Sequence, residues 1–192
     1  MIHMKLIVGL NNNNLKYKNT RHNIGSWFVE TLAKTYKKKF KIKKIFLGKI
    51  SKIEINKKKV YLLIPNTYIN LSGNSVLLFI KYYKIKKKNI IIVHDELDLI
   101  PGIAKFKRGI NCCGHNGIKH IAKKIKYDKF YRLRIGIGHP VKNNNINKFV
   151  LNKPKKNEKK LINNAIKKAI KSIKILIKKN IIIAMNKLHN YK

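Results

Sequence analysis

The sequence contains few acidic residues, only two cysteines and no long apolar runs. Seven Asp and Glu stand against 46 Lys and Arg in 192 residues, which gives a formal net charge of +39. Cys112 and Cys113 are adjacent, which excludes a disulfide framework and a four-cysteine zinc site. No apolar run reaches the ~18 residues of a membrane span, and the first residues do not resemble a signal peptide. A soluble, cytoplasmic protein that does not bind membranes is predicted.

The positive charge has two possible origins. So basic a chain attracts polyanions, and nucleic acid is the first candidate. However, Lys, Asn and Ile supply 99 of the 192 residues, and the codons of all three are A/T-rich. A genome biased toward A/T therefore explains the excess of positive charge equally well. The rarer residues then carry more of the functional information. They include the cluster Asp95, Glu96 and Asp98 and the four arginines.

Short apolar runs alternate with amphipathic segments, which is typical of α/β proteins. Strands are predicted over residues 4–10, 44–55, 58–64, 89–93, 103–107 and 131–138. Helices are predicted after a Thr20 cap and over residues 70–83, 115–125 and 157–179, with a polar loop over 141–157. The lysine face of the last helix is either simply solvated or contacts a phosphate backbone.

The predicted fold is therefore α/β, with a mixed, mostly parallel central sheet flanked by helices. One domain spans residues 1–180, because the chain is long enough for a single core and shows no internal repeat. Residues 181–192 form a basic C-terminal tail to which the sequence assigns no role.

Polar residues follow the predicted strands, where α/β folds gather their sites. His22 and Asp95 are the predicted reactive pair, since a carboxylate beside an imidazole fixes its tautomer and raises its pKa. No serine or cysteine has a nucleophile context, so the base would activate water. Five residues have the side chains of metal ligands but no known ligand spacing, and we predict neither metal nor cofactor. They are His94, Asp95, Glu96, Asp98 and His115.

Five strings stand in order along the chain: TRHNIG (20–25), PNTYINLSG (65–73), HDELDLIPG (94–102), GHNG (114–117) and RLRIGIGHP (132–140). In this order and spacing, they resemble bacterial-type peptidyl-tRNA hydrolase. The resemblance extends from residue 4 to about residue 180. It implies a usually monomeric, cofactor-free and metal-free enzyme that cleaves the ester between a peptide and tRNA, and so recycles tRNA in translation.

The resemblance also implies roles for single residues. His22 matches the family's general base, and Asp95 matches its carboxylate partner. His115 would help to place the tRNA acceptor end. The implied peptide- and carbonyl-binding asparagines are Asn12, Asn70 and Asn116. The tyrosines assigned to substrate binding beside them are Tyr17 and Tyr68. The residues that match tRNA-phosphate contacts are Lys105, Lys107 and Arg134.

Three segments depart from the family pattern. Residues 9–14 read GLNNNN where the family has GLGNPG, and asparagine is the mildest replacement because it tolerates the left-handed region. Ile69 replaces a methionine, and residues 109–113 have lost glycines. We expect an active enzyme that is slower and less stable than a typical homologue.

Two alternative functions belong to other classes of protein. The first is a non-catalytic RNA-binding protein of the same fold, which the altered loops allow. The second is a peripheral membrane protein that uses the 157–179 helix. The apolar face of that helix lacks aromatic residues, so the membrane alternative is the weaker of the two.

Overall fold

A computed structural model describes residues 5–110, 114–140 and 145–190. Cys112, Cys113, the first residue of the predicted first strand and residues 141–144 of the predicted loop lie outside these ranges. The described residues form seven strands: β1 (Leu6–Gly9), β2 (Lys41–Lys43), β3 (Gly48–Ile55), β4 (Lys58–Pro65), β5 (Ile90–Glu96), β6 (Ala104–Arg108) and β7 (Tyr131–Gly136). They form the helices α1 (Ile24–Thr35), α2 (Ser72–Tyr82), α3 (Asn116–Ile125), α4 (Ile146–Val150), α5 (Lys156–Lys178) and α6 (Ile181–His189).

The strands form one mixed sheet in the order β2-β3-β4-β1-β5-β7-β6. β1 lies parallel to β4 and β5, and β5 lies parallel to β7. β2, β3 and β6 complete the sheet through antiparallel pairs. A mixed sheet with a parallel centre, flanked by helices, confirms the predicted fold class.

Helices cover both faces of the sheet. α1, α5 and α6 bury their apolar residues against one face, together with Ile7, Val93 and Leu133. α2 and α3 pack on the other face against Leu6, Val8 and Ile92. In the part of the chain that the structure describes, no helix has the length and hydropathy to cross a membrane.

The best predicted elements have the strongest local patterns. The run Ile90–Val93 is fully buried in β5, as expected for a strand with parallel neighbours on both sides. β3 and β4 form a hairpin whose turn residues, Asn56 and Lys57, have φ angles of 49° and 59°. Positive φ at both turn positions is the geometry that matches the twist of paired strands.

Three local predictions were wrong and one strand was missed, and short-range hydrogen bonds explain most of the wrong predictions. The Thr20 hydroxyl donates to Tyr17 O over 2.7 Å and does not cap α1, which begins at Ile24 after a 3-10 turn. β3 begins at Gly48, because residues 44–46 form another 3-10 turn. The edge strand β2 was not predicted. The predicted loop 141–157 contains α4, whose first turn is capped by the Asn145 side chain.

Residues 181–189 form α6, which is packed onto the domain. Ala184 and Leu188 of this helix are buried in the core beside α5. His189 Nε2 accepts a hydrogen bond from Phe106 N of the edge strand β6 over 3.0 Å. α6 thereby satisfies a backbone donor that an uncovered edge would leave to solvent.

Two glycines let α1 approach the sheet. A Cβ built on Gly25 would lie 2.3 Å from Val93 O, and one built on Gly9 would lie 2.3 Å from Gly25 O. The first turn of α1 therefore lies directly on β1 and β5. This contact brings the residues just before α1 to the carboxyl end of β5, where Asp95 lies.

We predict that Gly25→Ala lowers the free energy of unfolding by at least ~1–3 kcal/mol, because the added methyl group meets backbone rather than flexible side chains. Urea denaturation measures the change. Lys34→Ala, on the exposed side of the same helix, is the control and should shift stability by less than ~0.5 kcal/mol. Equal stability of Gly25→Ala and the wild-type protein would contradict the close packing.

Candidate active site

The predicted pair forms, and a second histidine joins it. His22 Nδ1 lies 3.0 and 2.9 Å from the two carboxylate oxygens of Asp95. His115 Nε2 lies 3.1 Å from Asp95 Oδ1 on the other side. Only 4% of the Asp95 side chain is exposed, so this carboxylate depends on the two imidazoles for its polar contacts. His22 is brought here by the 3-10 turn before α1, and His115 by its place at the N-cap of α3.

Neighbouring hydrogen bonds assign the tautomer of His115. Its Nδ1 accepts from Gly117 N over 3.1 Å and caps the first turn of α3. The ring proton of neutral His115 is therefore on Nε2, which donates to Asp95. His22 presents Nδ1 to the same carboxylate, so Nδ1 carries the proton and Nε2 has the free lone pair. A ring nitrogen in this state can accept a proton from water.

The electrostatics favour an ionised Asp95 and a basic His22. Burial raises the pKa of Asp95, but the charges and hydrogen bonds of His22 and His115 outweigh burial and hold that pKa well below its ordinary value. Burial likewise lowers the pKa of His22, and the Asp95 charge and hydrogen bond reverse the effect, so the His22 pKa is raised above 6.5. The carboxylate thus makes His22 a stronger base.

The same three side chains could also be metal ligands. One ligand atom from each of His22, Asp95 and His115 lies within 4.8 Å of the others. However, the hydrogen bond from Gly117 N requires the proton of neutral His115 to be on Nε2, and a protonated nitrogen cannot coordinate a cation. The geometry therefore fits a hydrogen-bonded carboxylate better than a metal centre.

Two adjoining clefts surround His22. The first has a volume of about 490 Å³ and is lined by five of the six residues assigned to substrate binding; His115 is the exception. His22 and residues of α4 also line it. The assigned residues in it are Asn12, Tyr17, Tyr68, Asn70 and Asn116. The second, of about 300 Å³, is lined by His22, Asp95, His115 and Asn116 among others. The predicted catalytic and substrate-binding residues therefore share one place in the fold.

Asn23 holds the altered first loop, a role that the sequence did not indicate. Its Oδ1 accepts from Asn12 N over 2.7 Å, and its Nδ2 donates to the carbonyls of Asn12 and Tyr17 over 3.2 and 3.0 Å. None of residues 11–14 has a positive φ, so the loop does not use the left-handed region. The asparagines that replace glycine and proline fit this path without backbone strain.

α4 supplies a cleft wall that the sequence analysis missed. Asn147 and Val150 line both clefts, although this segment was predicted to be a loop. Arg21 holds the end of α4, because its guanidinium donates to Phe149 O, Asn152 O and Lys153 O and pairs with Glu158 at 2.8 Å. The one sequence feature that could have pointed to this contact was Arg21, which is one of four arginines and lies next to His22.

The predicted phosphate contacts lie apart from the clefts, on the β6–β7 pair. Lys105 stands opposite Arg134, and Lys107 stands opposite the buried Arg132, so all four side chains share one face of the sheet. Arg134 Nη1 also lies 3.4 Å from Glu96 Oε2. None of the three predicted phosphate-binding residues lines either of the two clefts.

Each member of the acidic cluster has a basic partner. Asp95 binds His22 and His115, Glu96 pairs with Arg134, and Asp98 pairs with His139 at 3.1 Å. The last pair is largely exposed and contributes little. The cluster therefore pairs with four basic side chains and does not act as one acidic surface.

Comparison with known proteins identifies the family. The family model described as peptidyl-tRNA hydrolase matches residues 6–192. The chain belongs to the peptidyl-tRNA hydrolase family. It is 46% identical over 193 residues to the peptidyl-tRNA hydrolase of Pectobacterium atrosepticum, covering 100% of this chain and 99% of the relative. The protein of the same name from Proteus mirabilis is 45% identical, with 100% of each chain covered.

Solved structures agree with this assignment. Peptidyl-tRNA hydrolase from Acinetobacter baumannii matches with a TM-score of 0.94 and 43% identity over 100% of this chain and 97% of the other. Its Arg119Gln mutant matches with a TM-score of 0.95 at the same identity and coverage. Family and fold therefore agree over the whole chain, including α6.

We predict that Asp95→Asn lowers the pKa of His22 below 6.5, because the burial that lowers it remains while the charge that raises it is lost. NMR titration of the His22 ring measures the change. Asp98→Asn is the matched control, since its partner His139 is exposed and lies at a separate ion pair. An unchanged His22 pKa in Asp95→Asn would show that Asp95 does not control this base.

Proposed function

We propose that the chain hydrolyses the ester that joins a peptide to tRNA and releases free peptide and free tRNA. The observation that carries the proposal is the His22–Asp95 pair at 2.9 Å, which borders a cleft lined by Asn12, Asn70 and Asn116. A water-activating base beside a row of amides fits ester hydrolysis of a peptide substrate. Membership of the peptidyl-tRNA hydrolase family supports the choice of ester.

In the proposed reaction, His22 acts as general base. Its Nε2 takes a proton from water as the oxygen attacks the carbonyl carbon of the ester. Asp95 holds the ring through Nδ1 and stabilises the imidazolium that forms. The tetrahedral intermediate then expels the ribose oxygen of tRNA, which receives the proton from His22.

The asparagines would bind the reacting group and the peptide. An amide N–H can stabilise the negative oxygen of the tetrahedral intermediate, which is a large contribution to ester hydrolysis. Each amide also offers a donor and an acceptor to a peptide backbone, whatever its side chains. We assign Asn12, Asn70 and Asn116 to these tasks, with Tyr17 and Tyr68 along the same cleft.

The basic pair of strands β6 and β7 would bind the tRNA backbone. Lys105, Lys107 and Arg134 are partly exposed on one face of the sheet, beyond the catalytic clefts. Phosphate contacts of this kind position the substrate without reading its sequence. Phosphate contacts outside the clefts leave the clefts free for the peptide and the ester.

We further propose that the protein works as a monomer without metal. Its net charge of +39 opposes association between copies. The Nε2 proton that the Gly117 contact assigns to neutral His115 opposes a metal at the catalytic histidines.

We predict that His22→Ala lowers turnover by about 10²–10⁴-fold, which is the usual contribution of a general base. Release of peptide from N-acetyl-aminoacyl-tRNA measures the reaction, and a filter assay measures tRNA binding. Binding should be retained, because the phosphate contacts lie on β6 and β7.

His120→Ala provides a control, since this histidine lies on α3, accepts from Gly73 N and lines neither catalytic cleft. It should keep wild-type turnover. Binding of tRNA without turnover by the wild-type protein would instead favour the non-catalytic RNA-binding alternative.

We predict that Lys105→Ala raises KM with little change in kcat and reduces the slope of log affinity against log salt by about 1, as expected for one lost phosphate contact. The matched control is Lys171→Ala, on the exposed face of α5. Equal effects of the two substitutions would indicate that tRNA is attracted by the general charge rather than by β6 and β7.

A further inference from the structure

Arg132 and His94 form a buried, charged contact next to the catalytic residues. Both side chains belong to residues only 1% exposed, and Arg132 is the largest of the fully buried side chains. Arg132 Nη1 lies 3.4 Å from His94 Nε2. Neither residue lines a catalytic cleft, so the reaction proposed above gives them no task.

His94 connects this contact to Asp95 and His115. Its Nδ1 donates to the backbone carbonyl of Asp95 over 2.6 Å, a bond that holds the Asp95 peptide in place. Its ring meets the ring of His115 edge-on, with centroids 5.1 Å apart. His94 therefore touches both the carboxylate residue and the second histidine of the site.

Arg132 also binds the residue that follows β6. Its Nε donates to Gly109 O over 2.6 Å, at the end of β6. Gly109 has a φ of 80° and directly follows β6. One guanidinium thus binds both Gly109 and the histidine beside Asp95.

We propose that Arg132 and His94 are positioning residues that fix Asp95 between His22 and His115. The inference rests on the proposed function for its effect on turnover, but its geometric part concerns the resting protein. Arg132 donates to Nε2, which keeps the His94 proton on Nδ1, where it binds the Asp95 carbonyl. Arg132 also binds Gly109 and so ties β7, which carries it, to the end of β6, while the His94 ring packs against His115.

The charges around His94 support this arrangement. Burial, together with His115 and Arg132, holds the pKa of His94 well below 6.5 despite the opposing effect of Asp95. His94 therefore remains neutral at physiological pH and keeps the single proton that the contact with Asp95 needs. A protonated His94 would place a second cation against Arg132 in the core.

The test uses His94→Phe, which keeps a buried ring but loses both hydrogen bonds. We expect Asp95 to shift away from His22, so the His22 pKa measured by NMR falls and the acid limb of kcat/KM moves to lower pH. Asp95 and His115 are the described titratable groups that contact His22. Turnover should fall about 10²-fold, mainly in kcat, since a small misplacement of a catalytic group has effects of this size.

Arg132→Lys should cause a smaller shift in the same direction, because it keeps the charge but not both hydrogen bonds. If His94→Phe does not fold, His94→Asn replaces it, since the amide is smaller and can donate. His120→Phe is the matched control, because it removes a histidine acceptor for Gly73 N without touching Asp95. That variant should leave the His22 pKa unchanged.

Folded His94 and Arg132 variants with a wild-type His22 pKa and turnover within twofold of wild type would overturn the inference. The two residues would then only fill the core. The NMR measurement of the His22 pKa needs no substrate. A wild-type protein without turnover would therefore refute the proposed function, while the NMR result would still decide whether His94 and Arg132 position Asp95.

Discussion

The buried carboxylate of Asp95 is the feature on which the site depends. An ionised group with so little exposure is costly unless charge and hydrogen bonds compensate it. Here the two imidazoles provide that compensation, one from the turn before α1 and one from the N-cap of α3. The fold must therefore bring three distant parts of the chain to one point. The glycine contact between α1 and β1, together with the buried run of β5, brings His22 and Asp95 to that point.

The pairing that supports chemistry also supports the folded state. Folding lowers the pKa of Asp95, so its pairing stabilises the protein above the pKa of the unfolded chain. That contribution is lost as pH falls through the lower pKa of the folded state. For His22 the sign is opposite, because folding raises its pKa, so its contribution is fully present only below its unfolded pKa and is lost as pH rises. The carboxylate is therefore charged at neutral pH, and the fraction of His22 that can act as a base grows as pH rises through its raised pKa.

Much of the fold and of the site could be predicted because the signals were local. The apolar run of β5, the hairpin turn at Asn56 and the helical pattern of α3 each follow from a few neighbouring residues. His22 and Asp95 could be paired because both lie in polar clusters at the ends of predicted strands, and the resemblance to a known family implies the same pair. The distances between them could not be predicted, since those depend on how α1 packs on the sheet.

The missed features depend on contacts between distant residues. α4 has five residues, too few to show a helical period, and Arg21 contacts it from 128 or more positions earlier in the chain. α6 begins with three isoleucines, a pattern equally typical of a strand, and its helix is stabilised by burial of Ala184 and Leu188. The contact between His94 and Arg132 required the register of β5 and β7.

The distribution of arginine and lysine bears on the origin of the charge. Each arginine makes a polar side-chain contact, and Arg21 and Arg132 each make several that one lysine ammonium could not reproduce. Arg21 binds three carbonyls and lies over the Phe149 ring at 4.1 Å, and Arg132 binds Gly109 and His94. Arg134 pairs with Glu96, and Arg108 binds Lys129 O.

A planar guanidinium is needed where several acceptors must be held at fixed angles, whereas an exposed positive charge can be supplied by either arginine or lysine. A chain with 42 lysines that keeps arginine at these four positions is consistent with compositional drift over the exposed surface. Selective contacts with RNA would then depend on a few positions, and the remaining lysines would add affinity that salt removes.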